Sequence, residues 1–189
     1  MHAMIEVHRC LYNAALNERK FCYETTKESV GYFKQAAWLK NARERNTDIA
    51  TANFSSCQST RRRLDKTYAA FFRRVKSGEE PGFPRFKGRG QFKTVEYPSY
   101  GDGCKLKGNV GNPCRCYFQF IGNIKMVLHQ PVTGKIKTMS FTHRGNKWFV
   151  LIVCEVEAQP LPECESEIGV DVGLEFFATL STGEKIANP

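Results

Sequence analysis

The fold is decided by residues 61–93, which read RRRLDKTYAAFFRRVKSGEEPGFPRFKGRGQFK. Five apolar residues of the first half recur at the spacing of one helix face: Leu64, Tyr68, Phe71, Phe72 and Val75. No Pro or Gly lies between Asp48 and Lys76, and Gly78 and Pro81 then follow as helix-ending residues. The pattern therefore predicts an amphipathic helix from about Asp48 to Lys76.

The chain upstream of this helix is also predicted to be helical. Met4–Tyr23 lacks Pro and Gly, and its apolar residues fall near one face. A shorter helix is predicted after Ser29, carrying Phe33 and Trp38. Residues 1–80 are therefore predicted to form a helical region.

Downstream of the turn-rich segment 79–84, the sequence pattern changes to short strand-like runs separated by turn residues. The predicted strands are Gln91–Tyr97, Cys116–Ile121, Asn123–Leu128, Lys135–Phe141 and Lys147–Glu157. Such spacing is typical of a small antiparallel barrel or sandwich, so residues 81–160 are predicted to form a β-barrel. Residues 161–189 are predicted to hold an acidic linker and a last hairpin, Ile168–Val172 and Phe176–Leu180. The expected fold class is α+β.

Composition excludes several classes of protein. The chain has 189 residues, of which 41% are hydrophobic and 12% aromatic, so it is too apolar to be wholly disordered. No stretch approaches the roughly eighteen apolar residues of a membrane span. The start, MHAMIEVHRC, lacks a basic region followed by an apolar run. We therefore expect a soluble cytoplasmic protein without a membrane partner.

Charge is distributed unevenly along the chain. The net charge is +9, but up to Val153 there are 27 Lys and Arg against 11 Asp and Glu. From Cys154 onward, Lys185 is the single basic residue against eight acidic ones. A body this basic attracts polyanions, of which nucleic acid is the usual one.

Basic residues are densest between Arg61 and Lys93, which hold eleven Lys and Arg. Cations on one helix face neutralise phosphates, and the aromatic rings interleaved with cations in residues 82–90 suit stacking on bases. Upstream, Asn53 and Gln58 offer amides that can pair with an adenine edge, although an ordinary helix surface would also carry them. The predicted nucleic-acid-binding residues are Asn53, Gln58, Arg61, Arg62, Lys66, Arg73, Arg74, Lys76, Phe83, Arg85, Phe86, Lys87 and Arg89.

The eight cysteines favour reduced intracellular thiols over a disulfide framework. There is no C-x-x-C pair, and the single residue between Cys114 and Cys116 is poor spacing for tetrahedral zinc. A metal shared by Cys104, Cys114 and Cys116 stays an alternative.

One carboxylate, Asp171, stands in the apolar segment Ile168–Leu174, which reads IGVDVGL. A carboxylate buried there would need a metal, a cation or hydrogen bonds as partner. Such an Asp is typical of the first ligand of a ribonuclease-H-like two-metal site. Actin-like ATPases also begin with a strand-borne Asp, and a water-facing strand residue is the third reading.

Several segments, in this order, resemble the TnpB (OrfB) proteins of insertion sequences. They are Leu11-Tyr12-Asn13, Gln58 through Arg61–Asp65 to Phe71-Phe72, Gly82–Lys87, and Ile168–Gly173 to Asn188-Pro189. The resemblance covers nearly the whole chain. It implies a helical recognition insert, a wedge-like (OB-like) barrel and the opening hairpin of a RuvC nuclease domain. It also implies an RNA-guided DNA endonuclease, a class long described as transposases, with DNA and guide RNA as partners.

The resemblance assigns Asp171 as the first catalytic, Mg²⁺-binding carboxylate. We expect the later catalytic carboxylates and the zinc ribbon to be missing, because the chain ends soon after this motif, and the first strand to be missing as well. One carboxylate cannot hold two metal ions, so the expected function is nucleic-acid binding without cleavage, with a possible C-terminal nuclease half elsewhere. A non-catalytic nucleic-acid-binding regulator and a decayed transposon fragment are the alternatives.

Overall fold

The computed structural model describes residues 1–158 and 167–188. Four helices come first: α1 His2–Thr26, α2 Tyr32–Arg45, α3 Thr47–Ala50 and α4 Phe54–Lys76. The helix predicted over Asp48–Lys76 is divided, because Asn53 adopts an extended conformation and its side chain caps α4 by accepting from the Ser56 N–H. At its other end α4 stops at Ser77, and Gly78 follows with φ +69°, as the sequence predicts.

Nine strands follow, paired only antiparallel among the described residues. They are β1 Thr94–Tyr97, β2 Cys104–Lys107, β3 Cys114–Phe118, β4 Gly122–Met126, β5 Lys135–Arg144, β6 Lys147–Glu155, β7 Val170–Asp171, β8 Ala178–Leu180 and β9 Lys185–Ile186. The pairing gives three sheets, with orders β1-β5-β6, β2-β3-β4 and β7-β8-β9. The α+β class is confirmed. The sequence analysis missed β2 and β9, which are only four and two residues long.

The described residues form no closed barrel, so the β-barrel predicted over residues 81–160 is not confirmed. A closed barrel requires every strand to be hydrogen-bonded on both sides. Here β1 and β6 are edges of one sheet, and β2 and β4 are edges of another. Alternation along the sequence predicts strands, but it does not decide which strands pair.

Helices and sheets of the first compact unit, Met1–Val156, share one core. Leu11, Tyr12 and Leu16 of α1 and Leu64 of α4 belong to the same buried cluster as Tyr97, Phe118 and Phe141 of the strands. Arg63 of α4 strengthens this connection, since its Nη1 donates to the Thr94 carbonyl at 3.1 Å. The amphipathic faces of α1 and α4 are thereby buried, which fixes the side of α4 that faces solvent.

The second unit begins at Glu157 and contains β7, β8 and β9. Several of its apolar residues are largely exposed: Val170 of β7 and the flanking Val172 and Phe177 are each more than half accessible, whereas Ala178 of β8 is buried. The acidic linker predicted at the start of residues 161–189 lies outside the described residues as far as Ser166, and so does Pro189. Division of the chain at residues 80 and 160 stays a prediction.

No helix among the described residues combines the length and the apolar composition that crossing a bilayer requires.

Candidate nucleic-acid interface

The second half of α4 presents its cations to solvent. Lys66, Arg73, Arg74 and Lys76 are all exposed, and so is Arg62 one turn earlier. Arg62 is held in place by Tyr32, whose hydroxyl accepts from its Nε at 3.1 Å and whose ring lies 5.2 Å from its guanidinium carbon. The basic helix face predicted from the sequence is therefore present on the exposed half of the helix.

The loop after α4 is anchored to α1 by Asn13. The Asn13 side chain accepts from the Lys87 N–H at 2.8 Å and donates to the Lys87 carbonyl at 2.9 Å. Arg9 donates to the same carbonyl at 2.9 Å. Two segments that carry the family resemblance, Leu11-Tyr12-Asn13 and Gly82–Lys87, therefore touch each other. The anchor holds the backbone of Lys87 and leaves Arg85 and Arg89 exposed.

Aromatic rings connect this loop to α4. Phe83 packs edge-on against Tyr68 and Phe71, with ring centroids 5.9 and 5.3 Å apart. Lys20 of α1 places its ammonium 5.7 Å from the Phe83 ring and 5.4 Å from the Phe86 ring. Phe83 and Phe86 nevertheless stay 45% and 47% exposed, so part of each side chain remains accessible.

Two grooves adjoin at Lys20 and Phe83. One, of about 640 Å³, is lined by Arg74, Arg85 and Phe86 as well as the two shared residues. The other, of about 760 Å³, runs between α1 and α4 and is mostly apolar, with Tyr23, Tyr68 and Phe72 in its wall. Lys20 and Tyr23 were missed by the sequence analysis, because only the packing of α1 against α4 brings them to these rings.

Arg61 is placed differently from the other predicted arginines. Its side chain is fully buried, and none of its three guanidinium nitrogens has a hydrogen-bond partner among the described residues. The guanidinium carbon lies 5.2 Å from the Trp38 ring, and burial lowers the pKa of Arg61. The sequence held a signal for this position, because Arg61 precedes Leu64 by three residues and shares its helix face.

Asn53 and Gln58, predicted as base-reading amides, also differ in their surroundings. Asn53 is buried, and its Nδ2 donates to Gln119 Oε1 at 2.7 Å and to Asp102 Oδ1 at 3.2 Å. Its Oδ1 is occupied by the helix cap. Gln58 is half-buried on α4. Unlike Asn53, Gln58 makes no side-chain hydrogen bonds of this kind among the described residues.

A buried histidine that the sequence analysis did not single out supports the inner half of α4, which is residues 54–64; residues 65–76 are its outer half. His8 Nδ1 lies 2.7 Å from Thr60 Oγ1, and Nε2 lies 3.0 Å from Ser56 Oγ. Burial, reinforced by the nearby charge of Arg63, lowers the pKa of His8 to about 3. The ring is therefore neutral at physiological pH and acts as a structural hydrogen-bonding group.

Asp171 lies on the two-residue strand β7, where it is exposed and pairs with Thr179 of β8. It therefore does not have the buried setting in which a carboxylate would require a partner. Within residues 1–158 and 167–188, no three His, Cys, Asp or Glu side chains are grouped as metal ligands.

Cys104, Cys114 and Cys116 are all buried in the sheet β2-β3-β4. Burial raises the pKa of the Cys116 thiol to about 11 and raises that of Cys104 as well. Cys104 and Cys116 both belong to the buried apolar cluster of the first unit, which agrees with a packing role.

Comparison with known proteins identifies relatives. No family model matches the chain. Over 179 residues it is 30% identical to an Escherichia coli (strain K12) protein named "Putative RNA-guided DNA endonuclease InsQ", a match covering 93% of the chain and 42% of that protein. Over 189 residues it is 26% identical to a Streptomyces pristinaespiralis protein named "Putative RNA-guided DNA endonuclease", covering 96% of the chain and 44% of that protein. The chain thus spans less than half the length of either relative.

Both relatives align with nearly the whole chain, and their names agree with the class of protein that the sequence motifs indicate. These relatives support the resemblance to the TnpB (OrfB) family that the motifs indicate.

Proposed function

We propose that this chain is the nucleic-acid-binding part of an RNA-guided DNA endonuclease of a mobile element, and that it binds both guide RNA and DNA. The observation that carries the proposal is the pair of grooves that adjoin at Lys20 and Phe83. Exposed cations line one groove, and partly exposed aromatic rings line both.

The chemistry of the two grooves is complementary. Arg74 and Arg85 can neutralise phosphates without reading sequence, and the faces of Phe83 and Phe86 can stack on unpaired bases. In RNA-guided enzymes base pairing reads the target, while the protein holds backbone and reads a short flanking motif. We propose Gln58, on the inner half of α4, as part of the surface that reads this motif.

The described residues do not by themselves fit the Mg²⁺ site of the family. Two-metal hydrolysis needs several carboxylates around two cations about 4 Å apart, and Asp171 supplies one. We therefore propose Asp171 as the first ligand of a site whose other ligands come from outside the described residues, and we propose that this chain binds without cleaving. A nuclease assay with Mg²⁺ tests this proposal. It would be overturned if the wild-type chain cleaved DNA and the Asp171→Asn variant did not.

Binding itself is tested by fluorescence anisotropy with a labelled DNA duplex and an RNA hairpin, each of about 20 base pairs. We expect the triple variant Arg73→Gln/Arg74→Gln/Lys76→Gln to bind at least about tenfold more weakly, because it removes up to three phosphate contacts. The binding constant K falls as salt rises, and the magnitude of the slope of log K against log salt concentration should decrease by about 2 to 3.

The matched control is Lys135→Gln/Arg144→Gln/Lys147→Gln, which removes the same charge from exposed positions on β5 and β6. Its slope should change little, since net charge alone forms no phosphate contact. Equal losses in the two triple variants would contradict a localised interface at α4.

A further inference from the structure

The sheet β2-β3-β4 has one buried face and one exposed face. Cys104, Cys116 and Phe118 point into the core and are fully buried. Because directly paired residues point to the same side of a sheet, the pairing defines the opposite face. Its six residues are Lys105, Lys107, Arg115, Tyr117, Asn123 and Lys125. Four of the six are cations, and all four are exposed.

Three of these cations form a row across the sheet. Lys107 is directly opposite Arg115, and Arg115 is directly opposite Lys125. Neighbouring strands lie about 4.8 Å apart, so the row spans only about 10 Å. Like charges directly opposite each other destabilise a sheet. A row of three is therefore expected to weaken this sheet.

No carboxylate compensates the row within the part of the chain that the structure describes. None of its members belongs to the four ion pairs found there. Residues 103–154 contain eight Lys and Arg and no Asp or Glu. The preceding carboxylate, Asp102, accepts hydrogen bonds from Asn53 and Ser55.

We propose that this exposed face binds the sugar–phosphate backbone of a polynucleotide, as a second contact separate from the grooves at Lys20 and Phe83. The inference rests on the proposed function and extends it to a surface that the basic stretch Arg61–Lys93 does not include. Phosphates would supply the negative charge that the row lacks. Arg115 and Lys125 also line a groove of about 410 Å³ beside residues 109–113, where Asn109 and Asn112 add polar side chains.

The test uses the full chain and the triple variant Lys107→Gln/Arg115→Gln/Lys125→Gln, with Lys135→Gln/Arg144→Gln/Lys147→Gln as the control of equal charge. Anisotropy with the DNA duplex and the RNA hairpin should show at least about tenfold weaker binding and a salt slope lower by about 2 to 3. The same variant should unfold at a higher denaturant concentration than the wild type, because removing the row relieves its repulsion. Weaker binding together with greater stability is the combination that damage to the fold would not produce.

The outcomes separate this inference from the proposed function. A loss confined to the RNA probe, or to the DNA probe, supports the inference and identifies the backbone bound. If the wild type binds and the variant Lys107→Gln/Arg115→Gln/Lys125→Gln binds as tightly as the control, the inference is overturned and the proposed function stands. Absence of wild-type binding to both probes overturns both. Should the triple variant fail to fold, Arg115→Gln alone should lower the slope by about 0.9, and an unchanged slope overturns the inference.

Discussion

The two halves of helix α4 are both rich in arginine but lie in different surroundings. Residues 54–64 contain all five buried residues of the helix: Ser56, Cys57, Thr60, Arg61 and Leu64. Residues 65–76 contain none, and their cations face solvent. Arg61 therefore serves the interior in the first half, whereas Arg73 and Arg74 belong to the candidate interface in the second. Composition alone does not separate these roles.

The difference has an energetic basis. The Arg61 guanidinium is removed from water without gaining a hydrogen bond from the described residues, which opposes its charged state and lowers its pKa. Arg73 and Arg74 keep their hydration, so their charge is available to an anion that arrives from solution. In the described conformation, a nucleic acid can reach the outer arginines and not Arg61.

The largest expected effect comes from the core of the inner half. Leu64→Ala should lower the free energy of unfolding by about 2 to 5 kcal/mol, because Leu64 is fully buried and the change leaves a cavity. Val75→Ala in the outer half should change it by less than about 0.5 kcal/mol, since Val75 is 49% exposed. Urea denaturation of both variants measures the contrast, and similar losses would show that the two halves do not differ.

A smaller effect is expected at the start of the inner half. Asn53→Ala removes the cap of α4 and the hydrogen bonds to Gln119 and Asp102, so we expect a loss of about 1 to 3 kcal/mol. Asn53→Ser retains a capping hydroxyl and should lose less. If both variants were as stable as the wild type, Asn53 would be free of a structural role and available to a ligand.

The inner half should also make stability depend on pH through His8. The unfolded chain takes up a proton near pH 6.5, whereas folded His8 stays neutral down to about pH 3. The unfolded state therefore binds more protons between these values, and stability is lost as pH falls through this window, by up to about 1.4 kcal/mol per pH unit. The contribution is fully present above pH 6.5.

His8→Gln removes this proton uptake and keeps an amide that can bond to Thr60 or Ser56. The difference in unfolding free energy between wild type and variant should therefore shrink on acidification from roughly pH 7 to pH 4. Other titrating groups are present in both proteins, so their contributions cancel in this difference. Parallel pH profiles for the two proteins would show that His8 titrates normally in the fold.

Local patterns predicted most of the elements. Apolar spacing predicted α1, α2 and α4, and strand-like runs separated by turn residues predicted β1 and the hairpin of β5 and β6, because these signals arise from residues close together in the sequence. The break before Phe54 was missed because residues 48–76 lack Pro and Gly, although Asn53 is a residue type that commonly caps a helix start. The barrel was not confirmed, because strand pairing depends on contacts between strands that are distant in the sequence. Charge density predicted the basic face of α4, but the row Lys107–Arg115–Lys125 exists only through strand register.

The amino-acid sequence alone determined the α+β class, the basic character and the family resemblance, since periodicity, charge and motif order are properties of the chain itself. Tertiary structure decided which of these residues can meet a ligand. It buried Arg61, left Arg74 exposed and bonded Asn13 to the backbone of Lys87. The physical reason is that desolvation and hydrogen bonding depend on neighbours brought together by folding, many of which are far apart along the chain.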